Sequence, residues 1–220
     1  VFTEKTLKGL RWKRVEVQIV GDGQEVAHVW ERECSVQRRF QKISSLPRTS
    51  IQRLIDSAVK MATTLNYKGL GTFKFLVNVS TKQWAFLEIN PRVQVEPTVT
   101  GSFSCLFHPL SKWSDVPLAE KITNIDLVQT QLLLSLPNNT LSCLSLSSTP
   151  QLPVGYAIQL RLIAEDPTKS FRLSPGTIRA EDITWPSGRS IRIDTSLSSL
   201  QTDTFTVSMD VDSLLATIAV

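Results

Sequence analysis

Residues 86–96, which read FLEINPRVQVE, alternate polar and apolar side chains over most of their length. Successive side chains of a β-strand point to opposite faces, so this pattern predicts a strand with one apolar and one polar face. Buried charges need partners. Carboxylate and amide oxygens suit a hard divalent cation, and an arginine suits a phosphate or carbonate anion. The segment therefore predicts a ligand-binding strand whose polar face carries Glu88, Asn90, Arg92, Gln94 and Glu96.

The remaining periodicity predicts an α+β fold. Alternation indicates a strand at 15–20, which a turn connects to a second strand at 25–33. Segments 73–79 and 84–90 are predicted to form a hairpin, 156–165 a long strand, and 177–180 and 190–194 shorter ones. Apolar residues at helical spacing predict helices at 51–65 and 125–136, and 212–219 begins like a third helix. Because strands and helices interleave with hairpins, an α+β architecture follows from the pattern alone.

Composition narrows the class of protein. The chain has 220 residues and a net charge of +4, and its scattered basic residues favour a solvated surface over a nucleic-acid patch. Three cysteines without CxxC spacing indicate reduced thiols in an intracellular protein. No apolar run reaches the length of a membrane span. We therefore expect neither nucleic acid nor a membrane as partner, and a cytoplasmic location, with mitochondria as the alternative.

Six ordered motifs carry a family resemblance. They read ERECSVQRRFQK, GTFKFL, FLEINPRVQVEPTVT, GYAIQLRLIAEDP, LSPGTI and VDSLLAT. In this order they resemble a biotin carboxylase, the ATP-dependent part of acetyl-CoA, pyruvate, propionyl-CoA and urea carboxylases. The resemblance implies the C-terminal half of an ATP-grasp core, with an antiparallel sheet and packed helices, over 1–136. It further implies a linker at 137–153 and a truncated biotin carboxylase C-terminal domain over 154–220.

The resemblance also implies a nucleotide and metal site. ATP and Mg²⁺ or Mn²⁺ would be the cofactors. Glu88 and Asn90 would bind the metal. The residues that match the family's nucleotide-binding segments are Glu4, Lys5, Leu7 and Gln37.

The second half of the reaction would carboxylate biotin, which is a substrate here. Glu96 would be the base that takes the proton of bicarbonate, and Arg161 would stabilise the biotin enolate. Arg92 would act in catalysis and in binding. The full set of residues expected to hold bicarbonate is Lys42, Arg92, Gln94 and Val95.

Several of these residues have simpler explanations. Arg38 and Arg39 could pair with glutamates on neighbouring strands, and Lys42 could be a solvated strand end. Arg161 could be an ordinary partner of Glu165 or Asp166.

The chain also departs from the family pattern. The second metal-binding acid is replaced by Lys74, which puts a cation where the metal and triphosphate charges should meet. Residues that replace other polar groups of the family pattern are Arg14, Phe40, Pro91, Pro97 and Gln159. We therefore expect binding of ATP, metal and biotin to be weak or lost.

Segment 101–119 interrupts the resemblance and is either a loop insertion or translated non-coding sequence, of which we favour the second. Val1 begins in mid-pattern, and we expect a fragment without the family's N-terminal domain and glycine-rich lid. The sequence thus predicts a biotin carboxylase fragment that is inactive as an isolated chain. The alternatives are a degenerate, non-catalytic binding protein or, less well supported, another ATP-grasp ligase such as a carbamoyl phosphate synthetase domain. Family partners would be a biotin carboxyl carrier domain and a carboxyltransferase, and a homodimer is possible.

Overall fold

The computed structural model describes residues 7, 11–33, 48–91, 123, 125–146, 158–188, 191–195, 197, 204–207 and 214–220. Its helices are α1 (Arg48–Thr64) and α2 (Leu127–Ser135). Its strands are β1 (Trp12–Asp22), β2 (Val26–Glu33), β3 (Lys68–Asn78), β4 (Trp84–Asn90), β5 (Gln159–Ile163), β6 (Glu165–Asp166), β7 (Arg172–Leu173), β8 (Gly176–Arg179), β9 (Arg192–Thr195), β10 (Thr204–Val207) and β11 (Leu214–Ala219). The mixture of sheet and helix confirms the predicted α+β class.

These elements divide between two compact units. The first contains β1 to β4 with both helices, and the second contains β5 to β11. The domain boundaries at 136 and 153 stay a prediction, and segment 101–119 lies outside the described residues. Neither described helix has the length and apolar character needed to cross a bilayer.

The described strands of the first unit form one antiparallel sheet in the order β2–β1–β3–β4. One face of this sheet is apolar because alternate residues of β1 and β3 are aliphatic or aromatic. Leu54, Ile55 and Ala58 of α1 are buried in the same core. The sheet residues of that core are Val15, Val17, Ile19, Phe73, Phe75 and Val77.

Helix α1 ends in a hydrogen-bonded cap. Asn66 adopts a left-handed conformation with φ of 47°, which asparagine tolerates better than most residues. The N–H of Asn66 donates to the Thr63 carbonyl and that of Tyr67 to the Ala62 carbonyl, at 3.1 and 3.0 Å. This Schellman arrangement satisfies carbonyls that the helix leaves unpaired and turns the chain into β3.

The turn between β1 and β2 is tied to the loop that follows α2. The Asp22 carboxylate accepts hydrogen bonds from the backbone N–H groups of Gln24, Glu25 and Leu141, at 2.8, 2.7 and 2.9 Å. Burial alone would raise the pKa of this carboxyl, but these backbone hydrogen bonds outweigh it and hold the pKa below its usual value. Asp22 is therefore ionised at neutral pH.

The second unit corrects one prediction. Residues 212–219 were expected to begin a helix, but Leu214–Ala219 forms β11, which pairs antiparallel with both β5 and β9. A short apolar run fits either a buried helix or a buried strand. Two flanking strands satisfy its backbone here, so pairing decided the structure. The described part of the unit also contains the strand pairs β8–β10 and β6–β7.

Candidate functional site

Four charged residues lie side by side across the first sheet, on the face opposite α1. Glu16 of β1 is directly opposite Arg32 of β2 on one side and Lys74 of β3 on the other. Lys74 is in turn opposite Glu88 of β4. We call Arg32, Glu16, Lys74 and Glu88 the charged row. Positive and negative side chains alternate along it, which is the favourable arrangement for directly opposite cross-strand pairs.

Ion pairs hold both ends of the charged row. The Lys74 Nζ donates to Glu88 Oε1 at 2.9 Å, and the two side chains are 12% and 52% exposed. An Arg32 guanidinium nitrogen donates to the Glu16 carboxylate, and their side chains are 19% and 6% exposed. The Arg14 Nε lies 3.8 Å from Glu16 Oε1. The row is therefore mostly buried at Glu16 and open to solvent at Glu88.

A neutral polar row lies beside it. Thr72 is opposite Gln18 on β1 and Asn90 on β4. The Thr72 hydroxyl donates to Gln18 Oε1 at 3.2 Å, and Gln18 Nε2 donates to the Gly71 carbonyl at 3.0 Å. Asn90 therefore neighbours Glu88 on the polar face, because residues two apart on a strand share a face.

A β-bulge decides which face Glu88 occupies. Phe86 is opposite Phe75, whereas Glu88 is opposite Lys74, so Leu87 is an extra residue in β4. Without it, Lys74 would pair with Leu87. Such an extra residue reverses the alternation of a strand. Phe86 consequently sits on the apolar side of the sheet, edge-to-face against Phe75, while Glu88 and Asn90 sit on the polar side.

The polar face does not suit the metal site of the family pattern. Glu88 and Asn90 supply oxygen ligands of the kind that Mg²⁺ prefers. The position at which the family pattern has its second metal-binding acid, however, holds Lys74, whose ammonium group already binds a Glu88 oxygen. Across the described ranges, no three metal-type side chains cluster. A metal site that needs carboxylates at both position 74 and position 88 therefore does not fit these residues.

Most other predicted site residues lie outside the described residues, namely Glu4, Lys5, Gln37, Lys42, Arg92, Gln94, Val95 and Glu96. The suggested pairing of Arg38 and Arg39 with glutamates lies outside them as well. Leu7 is half-buried.

Arg161 lies on β5 opposite Thr217 of β11 and is exposed. One of its suggested ordinary partners, Asp166, instead pairs with Lys169 at 3.4 Å and accepts a hydrogen bond from the Thr168 N–H at 2.9 Å. The structure thus places Glu88, Asn90 and Lys74 together and places Arg161 in the second unit.

Sequence reasoning did not single out Glu16 and Arg32. The available signal was the alternation over 15–20, which gives Glu16 and Gln18 a common face. This alternation predicts which face of β1 carries Glu16, but it does not predict which residues of other strands lie opposite. The pairing with Arg32 and Lys74 follows only from the sheet register.

Comparisons with known proteins identify the family. The family model described as "Carbamoyl-phosphate synthase L chain, ATP binding domain" matches residues 1–106. The pyruvate carboxylase of Aspergillus niger is 38% identical over 201 residues, which are 88% of this chain and 15% of that protein. The pyruvate carboxylase of Bacillus subtilis (strain 168) is 36% identical over 208 residues, or 90% of this chain and 16% of that protein. The chain thus spans about a sixth of the length of these relatives.

Solved structures of biotin carboxylase domains are also similar to this chain. The biotin carboxylase domain of a single-chain bacterial carboxylase superposes with a TM-score of 0.71 and 35% identity, over 96% of this chain and 43% of that one. The biotin carboxylase domain dimer of Hydrogenobacter thermophilus 2-oxoglutarate carboxylase, in complex with MgADP, ADP and bicarbonate, gives a TM-score of 0.72 and 29% identity, over 96% of this chain and 41% of that one. The predicted ATP-grasp relationship is confirmed, and the chain belongs to the biotin carboxylase family.

Proposed function

We propose that this chain forms one wall of a nucleotide site in a biotin carboxylase, a ligase component that uses ATP and bicarbonate to carboxylate biotin. The observation that carries the proposal is the placement of Glu88 and Asn90 next to the charged row, on the sheet face opposite α1. MgADP and bicarbonate occupy the related Hydrogenobacter thermophilus domain, which supports an adenine nucleotide and bicarbonate as the ligand classes here.

Charge supports phosphate binding on this face. Arg14, Arg32 and Lys74 contribute three positive charges around Glu16 and Glu88, which contribute two negative ones. The excess favours an anion, and an arginine side chain binds phosphate oxygens through directed N–H groups.

The remaining roles follow the family pattern. Glu96 is the proposed base, Arg92 with Gln94, Val95 and Lys42 the bicarbonate site, and Arg161 the group that stabilises the biotin enolate. Glu4, Lys5, Leu7 and Gln37 are the proposed nucleotide contacts. A biotin carboxyl carrier domain and a carboxyltransferase are the proposed partners, and the carboxyl acceptor stays open.

We also propose that the chain on its own does not cleave ATP. Family-type phosphoryl transfer uses metal ions to neutralise the charge that develops on the phosphates. Lys74 binds the carboxylate that such an ion would need. A lysine ammonium adds one charge where a divalent ion adds two, and misplacement of reacting groups by about 1 Å can cost about a hundredfold in rate.

Phosphate release tests this proposal. The chain is incubated with MgATP, bicarbonate and free biotin, and Glu96→Gln serves as the matched control. We expect the two proteins to release phosphate at the same background rate. Bicarbonate-dependent release by the unmodified chain that disappears in Glu96→Gln would show that the isolated chain is an enzyme.

Nucleotide binding is tested separately by titrating ATP into the protein and following ligand signals by NMR. We expect an affinity of about millimolar or weaker, roughly 4 kcal/mol, and weaker binding by the variant Arg14→Gln, which leaves the buried pair of Glu16 and Arg32 intact. Equal binding by that variant would remove the polar face as the phosphate site.

A further inference from the structure

We infer that Lys74 takes the place of a divalent cation on the polar face, so that phosphate binding there does not depend on metal. This inference rests on the proposed nucleotide site. It concerns the ion pair between Lys74 and Glu88, which sequence comparison alone does not reveal.

The ion pair between Lys74 and Glu88 joins two neighbouring strands of the sheet. The Lys74 Nζ and Glu88 Oε1 are 2.9 Å apart across directly opposite positions of β3 and β4. An ammonium group has three N–H donors and no acceptor, so after binding Glu88 it has further donors for a phosphate oxygen. It can thus bridge a carboxylate and a phosphate, as a metal ion would.

The charges of the four residues in the charged row balance one another. Arg32 and Lys74 carry two positive charges and Glu16 and Glu88 two negative ones, so the charged row sums to zero. With an acid at position 74 the row would carry one positive and three negative charges, a sum of −2. That deficit is the charge of one divalent cation. The lysine therefore neutralises the row internally, with Arg14 adding one further positive charge in either case.

The two side chains of the ion pair differ in their exposure to solvent. The Lys74 side chain is only 12% exposed, whereas that of Glu88 is 52% exposed. A lysine in a solvated surface pair would be free to leave its partner, and such pairs contribute little to stability. Lys74 is held within the sheet and can be reached from the side of Glu88, which is the side open to a ligand.

The direct test is Mn²⁺ binding, measured by electron paramagnetic resonance without nucleotide. Lys74→Glu would place three carboxylates on adjacent strands, at 16, 74 and 88. Because affinity for a hard cation rises with the number of charged oxygen ligands, we expect at least about tenfold tighter Mn²⁺ binding than in the unmodified chain. Lys60→Glu makes the same charge change on an exposed position of α1 and should leave Mn²⁺ binding unchanged.

A second variant covers the case in which three neighbouring carboxylates prevent folding. Lys74→Gln removes the charge without adding another, and we expect Mn²⁺ binding between that of the unmodified chain and that of Lys74→Glu. Added Mn²⁺ should raise the melting temperature of Lys74→Glu more than that of Lys60→Glu. If neither Lys74 variant gains Mn²⁺ affinity over the unmodified chain, the pair is only a structural ion pair and the inference is overturned.

A nucleotide titration separates this inference from the proposed function. ATP affinity of the unmodified chain is compared in EDTA and in Mg²⁺. We expect the two affinities to agree, and Lys74→Glu to bind ATP only with Mg²⁺. Markedly tighter binding of ATP by the unmodified chain in Mg²⁺ would refute the role of Lys74. Absence of ATP binding in both conditions would remove the proposed nucleotide site, while the Mn²⁺ measurements would still decide whether Lys74 stands in for a cation.

Discussion

Replacing Glu16 with Gln should destabilise the first unit more than any other single charge removal in the charged row. Glu16 is the member that faces cations on both sides, with Arg32 and Lys74 directly opposite. The amide of Gln has nearly the same shape but no charge. It would remove the negative charge that Arg32, whose side chain is 19% exposed, binds in a largely buried position.

The magnitude follows from this burial. Breaking a buried ion pair by removing one partner costs about 3–5 kcal/mol. The residual exposure of Arg32 lets water solvate part of its charge, so we expect the lower end, about 3 kcal/mol. For a chain of this size that corresponds to a fall in melting temperature of roughly 6–12 °C.

Urea unfolding followed by tryptophan fluorescence measures the loss, because Trp12, Trp30 and Trp84 all lie on strands of the first sheet. The matched control is Glu88→Gln, which removes a carboxylate from the same row where the side chain is 52% exposed. Lys74 stays opposite Glu16 after this change, and the carboxylate that is lost is the exposed member of its pair, so this control should cost clearly less than Glu16→Gln, about 1 kcal/mol.

A double variant separates charge burial from shape. Glu16→Gln/Arg32→Met removes both charges of the pair, and apolar replacement of a buried pair is often neutral, so it should recover more than half of the lost stability. A loss of less than about 1 kcal/mol in Glu16→Gln, a loss equal to that of Glu88→Gln, or no recovery in the double variant would refute this account of the row.

Two further perturbations test the fold that carries the site. Asp22→Asn should cost about 1.5–3 kcal/mol at pH 7, the range for hydrogen bonds to a charged group. Because the folded pKa of Asp22 is lowered, that stabilisation is full above the unfolded pKa of about 3.9 and is lost as the pH falls through the folded value. A difference in unfolding free energy between Asp22→Asn and the parent that persists well below pH 3.9 would contradict this. Phe75→Ala, at a fully buried position, should cost about 3–5 kcal/mol, against about 1–2 kcal/mol for Phe86→Ala, which is 40% exposed; equal losses of unfolding free energy in the two variants would contradict the difference in burial between the two rings.

The local sequence predicted strands and a helix of the first unit, the family, and part of the candidate site. The alternation in β1 and β3 predicted strands with one apolar face, because neighbouring side chains of a strand must point apart. The spacing of Leu54, Ile55, Ala58 and Ala62 predicted α1, since residues three and four apart share a helix face. Six motifs in order predicted the family, and the same motifs indicated Glu88, Asn90 and Lys74 as the residues at the metal position.

Pairing between distant segments decided the rest. β11 is a strand because β5 and β9 flank it, and no pattern within 214–219 specifies those partners. The charged row joins residues 16, 32, 74 and 88, and only the sheet register makes them neighbours.

The bulge at Leu87 shows most clearly what the sequence predicts and what the strand pairing decides. Strict alternation places Phe86, Glu88 and Asn90 on one face, whereas the extra residue puts Phe86 against Phe75 and Glu88 opposite Lys74. The sequence determined which groups the site would contain, because side-chain chemistry is local. The tertiary structure alone decided that Glu88 would meet a lysine, because cross-strand register depends on how two whole strands bury their apolar faces.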